Sequence, residues 1–322
     1  MIAGPVRITV LAGGVGGAKF VRGVRHAMPD ADIRVVVNTG DDLWLTGVRV
    51  CPDLDSIMYA LAGVNDTDRG WGRAGESERV SAELAAYGLG WPWFTLGDLD
   101  LGTHLARTSL LRDGLSLTAA TQRLAARWPL GVTLLPMSDQ PVETHVRVAD
   151  GLIHFEEWWV RTRAAVPALG FEQVGVESAK PTPEVLAAIA DADVVLLAPS
   201  NPVVSIGTIL GVPGMRTALA GTAAPVVGVS PIIGGAALRG MAAECLAAIG
   251  VQVSADAVAR HYGARSAGGL LDGWLVDSAD AAVVDDLAAS GMRAAARPLY
   301  LTTLEESAAI VRAAVELGLG AH

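Results

Sequence analysis

"VRITVLAGGVGGAKF", residues 6–20, decides the fold class. Its apolar opening reads as a strand buried on both faces, and Gly13, Gly14, Gly16 and Gly17 follow it directly. The amphipathic stretch from about Gly17 to Ala27 reads as the helix that returns the chain. "DIRVVVNTGDD", residues 32–42, then supplies a second buried strand. Strand, helix, strand in that order implies a right-handed crossover and a parallel sheet covered on both faces. "DADVVLLAPSNP" (191–202) and "AAPVVGVSPIIGG" (223–235) repeat the design, each an apolar run that ends in Pro, Ser, Asn or Gly before a helical stretch.

The expected fold is therefore α/β: a Rossmann-like, three-layer arrangement around a mostly parallel sheet. Residues 70–130 read as mostly helical, with Asp98 and Ser116 as N-caps, so that about 65–130 forms a largely helical insertion. Residues 131–160 alternate in short runs and predict extra strands. Near the end, "TTLEESAAIVRAAVELG" predicts a helix opened by a capping box between Thr302 and Glu305. No repeat, low-complexity tract or flexible linker divides the chain, so residues 1–322 are read as a single domain.

Composition narrows the function. With 51% hydrophobic and 18% charged residues, the 322-residue chain can bury a large core and is not disordered. A net charge of -10 argues against a general nucleic-acid surface. Any anionic substrate must then be met locally, by backbone amides, a few arginines or a bound cation. Cys51 and Cys245 lack metal-binding or redox spacing, which suggests a reduced, cytoplasmic protein. The apolar runs break well before the ~18 residues of a membrane span, and no signal peptide is recognisable.

A dinucleotide fingerprint would place a glycine where Lys19 stands, and a Walker turn would need a hydroxyl where Phe20 stands. What survives is the shared physics: glycines admit a phosphate close to the backbone, and the helix start offers unpaired N–H groups and a positive dipole end. Lys19, one of two lysines in the chain, adds a cation in the first turn. A tight strand-to-helix turn without a ligand is the plainer alternative.

After the second strand, "NTGDDLWLTGVRVCPDLDSIMYAL" (38–61) brings Asp41, Asp42, Asp53 and Asp55 to the sheet edge where ligands bind. Four carboxylates beside a phosphate would repel it unless a magnesium ion intervenes, because that ion binds both kinds of oxygen. Asp53 could equally cap a helix, and Asp41 or Asp42 could finish a turn. Further on, Asp100, His104 and Arg107 fall on neighbouring helical turns, with His104 read as structural rather than catalytic. "APSNPVVSIGTIL" (198–210) leaves a strand with Ser200 and Asn201 and opens a helix around Ser205 and Gly207. The Asn201 amide could match a base edge, although Ser-Asn-Pro is also ordinary turn chemistry. Eight tryptophans, among them Trp71, Trp91, Trp93, Trp158 and Trp159, could wall a fused-ring substrate or simply fill the core.

Read in order, "AGGVGGAKF", "VVVNTGDDLWLTG", "CPDLDSIMYAL", "LGDLDLGTHLART", "LLPMSDQPVETHV", "FEEWWV", "APSNPVVSIGTILGVPGMR" and "VSPIIGG" resemble the 2-phospho-L-lactate transferase family, also called phosphoenolpyruvate transferase, of deazaflavin coenzyme F-420 biosynthesis. The resemblance implies attack by the terminal ribityl hydroxyl of the deazaflavin Fo on a guanosine-diphosphate-activated phosphoenolpyruvate or phospholactate. GMP leaves and a phosphodiester, (dehydro) coenzyme F-420-0, forms. By the same resemblance Gly13, Gly14, Gly16, Gly17, Lys19, Ser200, Asn201, Ser205 and Gly207 would hold the nucleotide. Asp55 would contact Fo and serve as base, with Thr95 and Asp98 beside it and the helical insertion lining the deazaflavin pocket. Asp41, Asp42 and Asp53 remain the magnesium candidates, and relatives resemble homodimers. Two other classes stay open: an NAD(P)-dependent oxidoreductase, and a non-enzymatic regulator that binds nucleotide sugars on a similar fold.

Overall fold

A computed structural model describes residues 4–237 and 240–320. The chain opens with β1 (Arg7–Ala12), α1 (Gly14–Ala27) and β2 (Asp32–Val37). A hairpin of β3 (Leu43–Leu45) and β4 (Val48–Val50) leads to α2 (Pro52–Ala62). Three helices follow, α3 (Arg79–Ala86), α4 (Asp98–Arg112) and α5 (Leu117–Ala125), and then β5 (Thr133–Pro136). Next come β6 (Glu143–Val148), β7 (Gly151–His154) and β8 (Gly170–Val174), which form an antiparallel sheet of their own. The second half contains α6 (Pro183–Ala190), β9 (Val194–Leu197), α7 (Ile206–Gly211), α8 (Met215–Gly221) and β10 (Val226–Val229). It finishes with β11 (Ile232–Ile233), β12 (Ala236–Ala237), α9 (Ala242–Ala248), α10 (Ala255–Tyr262), β13 (Gly273–Val276), α11 (Val284–Ala289), β14 (Arg293–Ala296) and α12 (Leu304–Leu319).

Among the described residues a seven-stranded sheet runs in the order β14-β13-β10-β9-β1-β2-β5, and every pairing in it is parallel. Strand order reverses between β1 and β9. Alternate residues of the central strands feed opposite faces, as the two-residue period demands. Ile8, Val10 and Ala12 of β1 pack with α1, α2 and α12, whereas Leu11 joins Val36, Val195 and Leu197 in the core on the other face. Burying such a side chain contributes roughly 1.5–3 kcal/mol, against roughly 1–2 kcal/mol to fix one residue's backbone. Strands apolar on both faces therefore belong in the middle. The expected α/β layering is what the chain adopts, and its sheet is parallel throughout.

Close approaches explain two glycines. A Cβ on Gly228 of β10 would lie 2.3 Å from the Trp274 ring of neighbouring β13, and one on Gly23 would lie 2.8 Å from the Ser307 backbone. The second contact lets α12 pack tightly along α1.

Two local expectations shift. Helix α1 begins at Gly14 rather than near Gly17, so the glycine turn is itself the first helical turn. The capping box of α12 uses Thr303 and Glu306 instead of Thr302 and Glu305: Thr303 Oγ1 accepts from Glu306 N at 3.1 Å, and Glu306 Oε2 accepts from Thr303 N at 2.8 Å. Ser116 caps α5 as expected, accepting from Ala119 N at 3.2 Å. Asp98 is instead the first residue of α4 after its cap Gly97, and its carboxylate accepts from Ser77 Oγ and from Val80 N. No helix among the described residues is long and apolar enough to cross a membrane.

Candidate functional site

A cavity of about 1140 Å³ lies at the carboxyl ends of β1, β9 and β10, beside the reversal in strand order. This is where an open parallel sheet leaves room for a ligand, because its loops diverge there. Gly13, Gly14, Gly16 and Lys19 line one side, with Ser200, Asn201 and Ser205 opposite. Trp71, Trp93 and Thr95 line a farther wall together with Asp55 and His104. Gly17 and Gly207 stand outside the lining and serve close packing: their Cβ positions fall 2.8 Å from Ser200 Oγ and from the Pro202 carbonyl.

The two halves of the nucleotide-type rim are tied at one point. Ser200 Oγ accepts from Gly13 N at 3.1 Å and donates to Gly13 O at 2.7 Å. Gly14 donates its N–H to the Asp53 carboxylate, so this first-turn amide is already engaged. The rest of the first turn has no intrahelical acceptor for its N–H groups, which suits an anion. Lys19 Nζ donates to Leu301 O at 3.3 Å, drawing the chain before α12 into the cavity wall. Asn201 departs from the base-edge expectation. Its Oδ1 accepts from Val203 N and Val204 N at 2.9 and 3.2 Å, closing the turn into α7, and its Nδ2 faces Cys245 Sγ at 3.4 Å.

The four loop aspartates split into separate groups. Buried Asn38 donates to Asp41 Oδ2 at 3.2 Å and to Asp53 Oδ2 at 2.9 Å, so one amide aligns both carboxylates. Asp42 turns away from the cavity and meets Arg49 Nη2 at 3.4 Å. The chain turns between Thr39 and Asp42, whose N–H donates to Thr39 O at 3.3 Å, and that turn separates the Asp41 side chain from that of Asp42. Burial raises the Asp53 carboxyl to about 6, against the hydrogen bonds from Asn38 and Gly14. Burial and the charges of Asp53 and Glu156 push Asp41 well above the usual carboxylate range. Glu156, which sequence reasoning passed over, lines the same wall and is raised to about 8 by burial and the charge of Asp53.

Asp41 and Asp53 fit a hard divalent cation. They offer only oxygen donors, and buried Asp41 Oδ1 has no hydrogen-bond partner. Glycine at position 13 leaves Asp53 its space, since a Cβ there would lie 2.6 Å from Asp53 Oδ2.

Asp55 has different company. Arg107 of α4 donates to both of its oxygens, with Nη1 to Oδ2 at 3.0 Å and Nη2 to Oδ1. His104 Nδ1 lies 3.5 Å from Asp55 Oδ2, and its Nε2 lies 3.4 Å from Asp100 Oδ1, which also accepts from Tyr59 Oη at 2.8 Å. Burial would raise Asp100, but the hydrogen bonds of His104 and Tyr59 and the charges of His104 and Arg107 hold it below its ordinary value. One donor atom each of Asp55, Asp100 and His104 lie within 4.8 Å of one another. Arg107 already supplies the cation there, so the cluster reads as a proton and hydrogen-bond network. The three- and four-residue spacing along α4 was visible in sequence; its convergence on Asp55 was not.

A five-residue π-helical turn, Glu157–Arg161, carries Trp159 along the cavity, and Arg163 follows with φ 51° and Ala164 with φ 54°. Such conformations cost about 1–3 kcal/mol each in non-glycine residues and gather at functional sites. The Arg163 guanidinium lines the cavity without a hydrogen bond or ion pair among the described residues.

This geometry is matched by similarity. A sequence model of the family described as 2-phospho-L-lactate transferase CofD matches residues 8–309. A phosphoenolpyruvate transferase of Streptomyces griseus is 56% identical over 316 residues, covering 97% of this chain and 98% of that protein. Phosphoenolpyruvate transferases of Thermobifida fusca and Nocardia farcinica are 55% and 54% identical, covering 98% and 97% of this chain and 98% and 94% of theirs. Among solved structures, a UPF0052 family member from Bacillus halodurans shares the fold, with a TM-score of 0.63 at 19% identity over 97% of this chain and 99% of that one.

Proposed function

Since the chain belongs to the 2-phospho-L-lactate transferase CofD family and is a transferase, we propose that it moves a phosphoenolpyruvate group from a guanosine-diphosphate-activated donor to the terminal ribityl hydroxyl of the deazaflavin Fo. The hydroxyl oxygen bonds to the phosphorus that carries the three-carbon acid. The bond from that phosphorus to the bridging oxygen breaks, GMP departs with that oxygen, and dehydro coenzyme F-420-0 remains. Relatives named phosphoenolpyruvate transferase favour the enolpyruvyl acid over phospholactate.

One observation carries the reading: a single cavity runs from the glycine turn of α1 to Asp55. The nucleotide's phosphates lie on the first turn of α1, opposite Ser200 and Ser205. The deazaflavin lies between Trp71 and Trp93, on the wall formed by the segment before α4, where flat apolar faces suit a tricycle. Its hydroxyl donates to Asp55, which Arg107 orients and whose carboxyl burial raises against the opposing charge of that guanidinium, and His104 with Asp100 offers the proton a way out. Asp41 and Asp53 would hold magnesium, which when bound would supply positive charge against the phosphates. Thr95 lies on the deazaflavin side, whereas Asp98 is bound to Ser77 and supports that wall from behind.

The test incubates the purified protein with Fo, magnesium and each activated donor and weighs the products. The expected result is the phosphoenolpyruvyl diester together with GMP. Failure to form a diester from either donor would overturn the reading.

A further inference from the structure

Helix α4 starts on a residue that has no side chain to cap it. Gly97 is its N-cap, so the orphan amides of the first turn need an acceptor from elsewhere. Glu76 supplies it: its Oε2 accepts from Asp100 N at 3.0 Å, while its Oε1 accepts from Arg73 N at 3.0 Å. One carboxylate thus binds two separate stretches of backbone, and it stands outside the cavity lining. Its negative charge also meets the positive end of the α4 dipole.

Gly97 shows how closely that carboxylate is fitted. With φ -76° and ψ 158° its backbone suits any residue, so conformation alone does not call for glycine. A Cβ there, however, would fall on the Glu76 carboxylate. Gly72, with φ 71°, makes room from the other side, where a Cβ would come within 2.8 Å of Glu76 Oε1.

The contacts close a circuit. The Arg73 guanidinium lies over the Tyr59 ring, 5.7 Å from its centre, and Tyr59 Oη donates to Asp100 Oδ1 at 2.8 Å. Glu76 joins the two ends of that path, Arg73 and Asp100, through their backbone amides. Residues 64–74 fold back on themselves, with Asp66 N donating to Gly72 O at 3.1 Å and Ala74 N to Val64 O at 2.9 Å. Trp71 projects from this loop into the cavity wall, with the Arg69 guanidinium 5.3 Å from its ring centre. Trp93 and Thr95 reach the same cavity from the segment that leads into α4.

We propose that Glu76 is a positioning residue that locks the Trp71 loop to the start of α4 and so sets the gap in which the deazaflavin lies. The inference rests on the transferase reading for the identity of the ring system, and on the geometry alone for the lock. Without the carboxylate the two halves of the aromatic wall lose their common anchor, whereas the nucleotide rim on α1 and after β9 keeps its own.

Steady-state kinetics of Glu76→Ala should show the Michaelis constant for Fo raised roughly tenfold and that for the activated donor unchanged. Glu76→Gln offers one acceptor oxygen instead of two and should fall between. Gly97→Ala should imitate Glu76→Ala in the wild-type background and add nothing to it in the double variant, because the carboxylate it strikes is gone. An unchanged constant for Fo, equal rises for Fo and donor, or a Gly97→Ala penalty of the same factor in both backgrounds would overturn the role. Hydrogen exchange of the substrate-free protein reads the lock without turnover: Glu76→Ala should speed exchange across residues 66–74 and 97–101 together and leave the β1 to α1 turn as protected as in wild type. Unchanged exchange in either segment would overturn the lock. Should wild type form no diester, the transferase reading falls, and the exchange comparison still decides whether Glu76 joins the two segments.

Discussion

Arg107 holds both carboxylate oxygens of Asp55 across 52 positions of sequence, from the second half of α4 to the first turn of α2. Both side chains are buried, so this ion pair is dry, and neither partner can be removed without leaving an unpaired charge. Asp55→Asn should lower turnover by roughly 10²–10⁴ while leaving affinity for the guanine-nucleotide donor unchanged. Product mass and calorimetric titration check the two halves, and near-normal turnover would strip Asp55 of its part. Arg107→Ala should destabilise the fold by about 3–5 kcal/mol, read from the urea midpoint.

Gly13 and Gly23 occupy different faces of the same problem. A methyl group at Gly13 would come within 2.6 Å of Asp53 Oδ2 and 2.9 Å of Ser205 Cβ, whereas one at Gly23 would strike the Ser307 backbone at 2.8 Å. Gly23→Ala should therefore cost about 1–3 kcal/mol of stability and leave the Michaelis constants of the surviving protein unchanged. Gly13→Ala should weaken donor and metal binding beyond anything its melting temperature explains.

Arg163 points to the recognition of a negative group on the donor. Its left-handed backbone is retained at a cost, and its guanidinium has no partner among the described residues. Arg163→Ala should raise the Michaelis constant for the activated donor roughly tenfold with little change in maximal rate, a loss of about 1.4 kcal/mol of binding. An unchanged Michaelis constant would mean that the residue serves only the shape of its turn.

Asp193 supplies a pH dependence remote from the cavity. Arg7 donates to it three times, from N at 2.8 Å, Nε at 3.3 Å and Nη2 at 2.8 Å, and those bonds hold its carboxyl below the ordinary value. A carboxyl with a lowered folded-state value stabilises above its unfolded value, about 3.9, and loses that contribution as pH falls through the folded one. Wild type should thus exceed Asp193→Asn in urea midpoint at neutral pH, and the two curves should converge in strong acid. A constant gap down to low pH would contradict this.

Much of the architecture was legible because buried parallel strands are apolar on both faces and announce themselves locally. The β1 to α1 turn and the Ser200 turn were readable for the same reason, since glycine and small hydroxyl residues follow a strand end for steric causes. Glu156 was not, because the aspartates whose charge bears on it lie about a hundred positions away and no spacing within "FEEWWV" links it to them. Asp41 and Asp42 looked equivalent until backbone direction sent one toward Asn38 and the other toward Arg49. Thr302 and Thr303 each precede a glutamate by three residues, so local chemistry alone could not choose between the two boxes.

The clasp between Gly13 and Ser200 joins groups 187 positions apart. During synthesis, therefore, the ribosome must pass well beyond the middle of the message before the emerging polypeptide can grip a nucleotide at all. Any truncated translation product that stops short of β9 carries an intact glycine loop with nothing to close it.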